Sequence, residues 1–244
     1  MLYWWSKYVL LGPLLRLVFR PTIEGREHVP QRGGAILASN HLAVADSFFL
    51  PLFIPRPVTF LAKREYFTQK GLLGFVKRTF FTGMNQVPVD RTVGSAAQAA
   101  MDTAIRLLRE EKVLGIYPEG TRSPDGRLYK GKTGVARLAL RCKVPVLACA
   151  MVGTKEIQPI GQVKPNIFRP ITIRISPPMD FCRYYDDPSN PKVLRQITDE
   201  IMFTLRELSG QEYVHEYAKR KSPDEVMEPE STPVLSGPPL EAIA

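Results

Sequence analysis

His41 and Asp46, five positions apart, are the first residues in this sequence whose types and spacing could do chemistry. A neutral imidazole takes a proton from an alcohol near neutral pH. A carboxylate on its other ring nitrogen fixes the tautomer and stabilises the imidazolium that forms. The pair follows the apolar run Gly34-Ala35-Ile36-Leu37-Ala38-Ser39, where a buried strand would give way to a loop. Taken alone, the spacing fits either a general base with its orienting acid or a loop histidine held by a hydrogen bond. Asn40 and Ser47 either add hydrogen bonds to the pair or act as loop and helix N-cap residues. The sequence has no Gly-x-Ser-x-Gly elbow and no plausible Cys/His pairing, so direct attack by a substrate hydroxyl is expected rather than a covalent intermediate on the protein.

A second group lies at Glu119-Gly120-Thr121-Arg122. A guanidinium grips phosphate bidentately, and Gly120-Thr121 offers a tight loop with exposed amides, so Arg122 is the best candidate for a phosphate clamp, the alternative being a surface arginine, and Glu119 is a candidate to position it. Arg91, in Val87-Pro88-Val89-Asp90-Arg91, either joins the clamp or pairs with an acid such as Asp90. Gly126 to Thr133 satisfies the pattern G-x-x-x-x-G-K-[ST]. A P-loop, however, follows directly from a buried strand, and this stretch follows the polar turn Ser123-Pro124-Asp125, so nucleotide hydrolysis is not expected. Lys130 and Lys132, near the start of a helix, remain able to hold a phosphate of a donor substrate.

These residues need elements to carry them. Short apolar runs predict strands at Gly34 to Ser39, Val58 to Ala62, Val113 to Tyr117, Val146 to Val152 and Ile171 to Ser176. Helical periodicity fits Ser95 to Glu111, Thr133 to Cys142 and Val193 to Leu208. The alternation implies a layered α/β domain, a mixed sheet flanked by helices, with the chemistry on loops at strand ends. From Ser222 onward Pro, Ser, Glu and Gly replace any periodic apolar face, which reads as a disordered tail. The organisation expected is a membrane-associating helical segment over residues 1–20, a catalytic domain over 21–218 and a tail over 219–244.

The chain has 244 residues, enough for one domain with a full core and appendages, and a net charge of +9 that calls for an anionic partner. Its basic residues are scattered among aromatic ones, as in Phe75-Val76-Lys77-Arg78-Thr79-Phe80-Phe81, which favours a membrane surface over nucleic acid. Cys142, Cys149 and Cys182 have no metal-ligand spacing and are read as reduced and structural, in keeping with a cytosol-facing protein. Near the N-terminus, Lys7 and Arg16 leave only eight residues between them. That is about 12 Å of helix against a hydrocarbon core of about 30 Å, so a spanning helix is not expected. Arg20-Pro21 follows without a small-residue cleavage site, which argues against a signal peptide. Trp4 and Trp5, the chain's only tryptophans, suit the headgroup level. The segment is therefore expected to lie in the interface, the alternative being a helix packed on the domain's own core.

The blocks Asn40-His41-Leu42-Ala43-Val44-Ala45-Asp46, Val87-Pro88-Val89-Asp90-Arg91, Tyr117-Pro118-Glu119-Gly120-Thr121-Arg122-Ser123 and Val144-Pro145-Val146 resemble the PlsC-like glycerophospholipid acyltransferase family in letters, order and separation. Within it, the likeness is to the 1-acylglycerol-3-phosphate acyltransferases, over residues 20 to 180 or so. The resemblance implies that His41 and Asp46 are catalytic, that Lys63, Arg91, Glu119, Gly120, Thr121 and Arg122 serve the acceptor phosphate, and that acyl-CoA or acyl carrier protein is the donor. Val89 stands where larger apolar residues are common, which bears on acyl-chain preference. The function expected is transfer of a fatty acyl group to the free sn-2 hydroxyl of 1-acylglycerol 3-phosphate, giving phosphatidic acid, on the cytoplasmic face of a membrane and without metal or cofactor. Alternatives are a related enzyme for another lysophospholipid or a glycolipid, and a non-catalytic membrane-binding lipid module.

Overall fold

The computed structural model describes residues 2–89, 96–158 and 166–219. In chain order its elements are α1 (Leu2–Trp5), a π-helical turn (Ser6–Leu10), α2 (Leu11–Phe19), β1 (Thr22–Glu24), β2 (Ala35–Ser39), α3 (Asp46–Phe53), β3 (Val58–Lys63), α4 (Glu65–Thr68) and α5 (Gly71–Gly83). Then come β4 (Gln86–Val89), α6 (Ala96–Arg109), β5 (Val113–Ile116), β6 (Leu128–Tyr129), α7 (Gly134–Cys142), β7 (Val146–Val152), α8 (Thr154–Ile157), β8 (Thr172–Ile175), α9 (Pro191–Ser209) and β9 (Tyr213–Val214).

Among the described residues seven strands form one sheet in the order β1-β8-β7-β2-β5-β3-β4. Every pairing is parallel except β7 with β8, so the expected mixed sheet is present. All five β2 residues are buried, as are the first six of β7, the unbroken apolar pattern of central strands covered on both faces. Alternation along β2 divides the core. Ile36 and Ala38 pack with α6, α7 and α9, whereas Ala35 and Leu37 pack with α3 and Phe19 of α2. From β2 the chain first builds β3 and β4 on one side, inserts β5 between β2 and β3, and later adds β7 and β8 on the other. The strand order thus reverses direction at β2, where open α/β sheets leave a crevice at the carboxyl ends of their strands.

Each of the five predicted strands is present, and each of the three predicted helices is found within a few residues of its expected ends. Ser95 lies outside the described residues. The strands β1 and β4 and the helices α3 and α5 were not anticipated. In α5 the sequence offers no inward stripe to detect, because Leu72, Leu73, Phe75 and Val76 are all exposed. The N-terminal segment is helical, with one side packed on the domain and the other exposed. Tyr3, Lys7 and Phe19 are buried against the domain, while Trp5, Leu10 and Leu17 are 63%, 66% and 72% exposed. No helix among the described residues is long and apolar enough to cross a membrane. The expected tail, apart from Lys219, lies outside the described residues. Residues 211–219 pack on the domain through β9, which pairs with β6.

Candidate active site

At the end of β2 the buried Asn40 side chain extends the sheet. Its oxygen accepts from the Met151 amide at 2.7 Å and its nitrogen donates to the Met151 carbonyl at 3.0 Å. This clips β2 to β7 and fixes the point at which His41 leaves the sheet, so Asn40 is structural. The chain then turns over Leu42 to Ala45 into α3, whose first residue is Asp46. One Asp46 oxygen, Oδ2, accepts from the Leu42 amide at 2.7 Å, the Ala43 amide at 2.8 Å and His41 Nδ1 at 3.1 Å. Donation from Nδ1 leaves His41 Nε2 as the nitrogen able to accept a proton. Asp46 is fully buried and its Oδ1 has no hydrogen-bond partner among the described residues. An under-solvated carboxylate gains most when the ring opposite it becomes cationic.

The imidazole is backed by a column of rings. His41 stacks on Tyr117 at 3.8 Å between centroids and 8° between planes, and Tyr117 stacks on Phe60 at 5.2 Å. Phe60 lies over Gly115, where a Cβ would meet its ring at 2.3 Å, so any larger residue at 115 would disturb the column. Ser47 Oγ is 2.9 Å from the Tyr117 hydroxyl and holds that ring in place. Ser47 is thus neither a ligand of the His41–Asp46 pair nor the N-cap of α3. Tyr117 was not singled out from the sequence, although it opens the third block.

Glu119 turns inward, and the expectation that it positions Arg122 is corrected. Oε1 accepts from the His41 amide at 3.2 Å and Oε2 from the Tyr129 amide at 2.9 Å, on a side chain 1% exposed. The carboxylate therefore ties the 119–129 loop to the backbone of the histidine. Its turn needs Gly120 at φ +76°, and the loop is closed by Ser123 donating its amide to the His41 carbonyl at 2.8 Å. Burial, opposed by the two amide bonds and reinforced by Asp46 and Asp125, raises the Glu119 pKa from 4.5 to about 7. A carboxyl raised by folding binds more protons in the folded state, so stability falls as pH rises from about 4.5 to about 7, by about 3 kcal/mol for a shift of this size. Glu119→Gln removes that slope and sets an NH2 group against one of the two amides. Denaturant unfolding across this pH range should show the wild type losing stability relative to the variant. A difference that did not change with pH would contradict the assignment.

Between the sheet and the helices lies a cavity of about 770 Å³. Its lining combines the polar side chains of His41, Ser47, Thr121 and Arg122 with the apolar ones of Leu61, Phe81, Met101, Leu114, Ile116 and Leu138. Gly120 and Lys219 also border it. The structure thus brings His41 and Asp46 together with Gly120, Thr121 and Arg122. Lys63 is the last residue of β3, paired with Val89 of β4, at the same sheet edge; its side chain and all of Arg91 lie outside the described residues. The two lysines of the Gly126–Thr133 stretch part company. Lys132 lies against Gly120, whereas Lys130 sits 3.4 Å from His215 Nε2 and over the Tyr217 ring. That stretch forms a loop and the short β6, and Gly131 presses on Met202 of α9, an arrangement unlike a phosphate-wrapping P-loop. The three cysteines are all unpaired.

A mostly parallel α/β sheet thus carries a His–Asp pair at its carboxyl edge, with a glycine-turned loop and a part-apolar cavity beside it. Residues 20–152, more than half of the chain, match the family model described as Acyltransferase, and the chain belongs to that family. Among curated relatives it is 35% identical over 161 residues to the 1-acyl-sn-glycerol-3-phosphate acyltransferase of Limnanthes alba, covering 65% of this chain and 54% of that protein. It is 29% identical over 154 residues to the enzyme of that name from Bacillus subtilis (strain 168), covering 61% and 72%. The chain thus spans about half the length of the Limnanthes relative it matches. Among solved structures it resembles the 1-acyl-sn-glycerophosphate (LPA) acyltransferase PlsC from Thermotoga maritima, with a TM-score of 0.56 and 25% identity over 78% of this chain and 73% of that one.

Proposed function

We propose that this chain transfers a fatty acyl group from an acyl-CoA or acyl carrier protein thioester to the free sn-2 hydroxyl of 1-acylglycerol 3-phosphate, yielding phosphatidic acid. The observation that carries the reading is the His41–Asp46 pair, whose imidazole lines a cavity that also takes in Arg122 and many apolar side chains. The names of the curated relatives supply the acceptor. In the step proposed, His41 Nε2 takes the hydroxyl proton as the oxygen attacks the thioester carbonyl. An O–C bond forms, the C–S bond breaks as the tetrahedral intermediate collapses, and the proton passes from the imidazolium to the leaving thiolate. Asp46 compensates the imidazolium charge. The apolar lining of the cavity accommodates a fatty acyl chain. Direct attack is favoured because the nearby alternatives are occupied or inert. Ser47 is bonded to Tyr117, and Cys149 is fully buried with its thiol pushed up by burial and by Asp46.

Arg122 is the proposed clamp for the acceptor phosphate, with Lys63 and Arg91 proposed as further contributors and Gly120 and Thr121 shaping the loop. Lys132, beside that loop, and Lys130 are proposed for the donor's phosphates. Attachment is proposed to be peripheral, on the cytoplasmic face of the membrane. The exposed apolar residues of the N-terminal helix are supported by those of α5, whose end at Gly83 touches Leu2 and which carries Lys77 and Arg78 between its apolar side chains. Arg122→Ala tests the clamp. One charged hydrogen-bonded contact is worth about 1.5–3 kcal/mol, so kcat/KM for the acceptor should fall by about 10- to 100-fold with donor KM nearly unchanged. An equal rise in donor KM would move Arg122 to the donor site.

A further inference from the structure

The helix that begins with Asp46 ends badly. The carbonyl of Pro51 would be bonded by the amide of residue 55, but residue 55 is proline and has none. Ile54, the C-cap, turns into extended backbone at ψ 141° and leaves its own carbonyl outside the helix. Both carbonyls are satisfied from far away in sequence. Tyr3 donates its hydroxyl to Pro51 O at 2.5 Å, and Lys7 donates Nζ to Ile54 O while lying 3.4 Å from Pro51 O and 3.3 Å from the Tyr3 hydroxyl. Tyr3 and Lys7, four residues apart, share the inner face of the N-terminal helix. Lys7 is 2% exposed, a burial that lysine tolerates only when its ammonium is partnered, and a cation at a helix C-terminus is favourably placed. The opposite side of the same helix displays Trp5, Val9, Leu10, Leu14 and Leu17.

We propose that Tyr3 and Lys7 are positioning residues for the reaction: by capping the C-terminal end of α3 they fix that helix along its axis, and with it the Asp46 carboxylate at the other end. The inference rests on the catalytic reading of His41 and Asp46. At about 12 Å this eight-residue helix is short, and its capped end lies within about two turns of Asp46. Loss of the cap therefore moves Asp46 against the Leu42 and Ala43 amides and against His41. Because the capping helix also carries the apolar outer surface, acyl transfer becomes coupled to how that helix is seated.

Lys7→Met and Tyr3→Phe test this in the full-length chain on vesicles of phosphatidylcholine and phosphatidylglycerol. Lys7→Met should lower kcat about tenfold with acceptor KM and vesicle binding within twofold of wild type, since small misplacements of catalytic groups cost rate rather than affinity. Tyr3→Phe should lower kcat less, in the same direction. In an Asp46→Asn background either substitution should change kcat by less than about twofold, because residues acting through one another do not add. Wild-type kcat in folded Lys7→Met and Tyr3→Phe, the same loss in both backgrounds, or a loss that tracks vesicle release would overturn the inference. Should Lys7→Met fail to fold, Tyr3→Phe carries the same cycle. Full turnover in His41→Ala would instead overturn the reading of the site itself.

Discussion

His41→Ala is expected to lower turnover by about 10²–10⁴, the range typical for losing a general base, while leaving the fold and membrane binding intact. The side chain is 15% exposed, and its removal costs the stack on Tyr117 and one bond to Asp46. Asp46 keeps its two backbone donors, so the turn into α3 survives. Thermal melts of the variant should keep one cooperative transition lowered by only a few degrees, vesicle sedimentation should match wild type, and single-turnover measurements should place the loss in the chemical step. A folded variant with wild-type turnover would leave His41 a structural residue.

Asp46→Asn is expected to cost at least about 10² in kcat, because the amide cannot compensate the imidazolium and can stabilise the wrong tautomer. Its binding consequences should be small, since Asp46 is buried behind the ring and is not among the cavity-lining residues. If the amide oxygen replaces Oδ2 it still accepts from Leu42 and Ala43, and the amide nitrogen then occupies the Oδ1 position, which already has no partner. The His41→Ala/Asp46→Asn double variant should resemble His41→Ala alone, as residues acting as a unit lose most of their effect with the first removal. Losses that multiplied would show that the two residues act separately.

What the sequence disclosed and what it hid follow from how local each interaction is. The His41–Asp46 contact was legible because a turn of fixed length makes it. The predicted strands were legible because central parallel strands are apolar throughout. Long-range partnerships were not: nothing local joins Asn40 to Met151, Ser47 to Tyr117 or Glu119 to the amides of His41 and Tyr129. Glu119 and Arg122 sit three apart and looked like a working pair, yet the positive φ of Gly120 turns the loop so that the carboxylate faces the core while the guanidinium borders the cavity. Lys7 was read as a charge interrupting a membrane-facing run, whereas the fold turns it inward onto α3. The start of α9 at Pro191 shows a signal present but overlooked. Asn190 accepts from the Lys192 amide at 2.9 Å and Pro191 takes the first helical position, a cap written plainly in the sequence two residues before the expected start.

Acyl transfer to a lysophosphatidate hydroxyl is tested by thioester-dependent CoA release by the purified chain on vesicles. The assay would use a panel of acyl-CoA donors with and without 1-acylglycerol 3-phosphate, and the lipid product would be identified by mass. CoA release should depend on both substrates, with phosphatidic acid formed in equal amount and both lost in His41→Ala. No acceptor-dependent release with any acyl-CoA or acyl carrier protein donor, from a folded and membrane-bound protein, would contradict it.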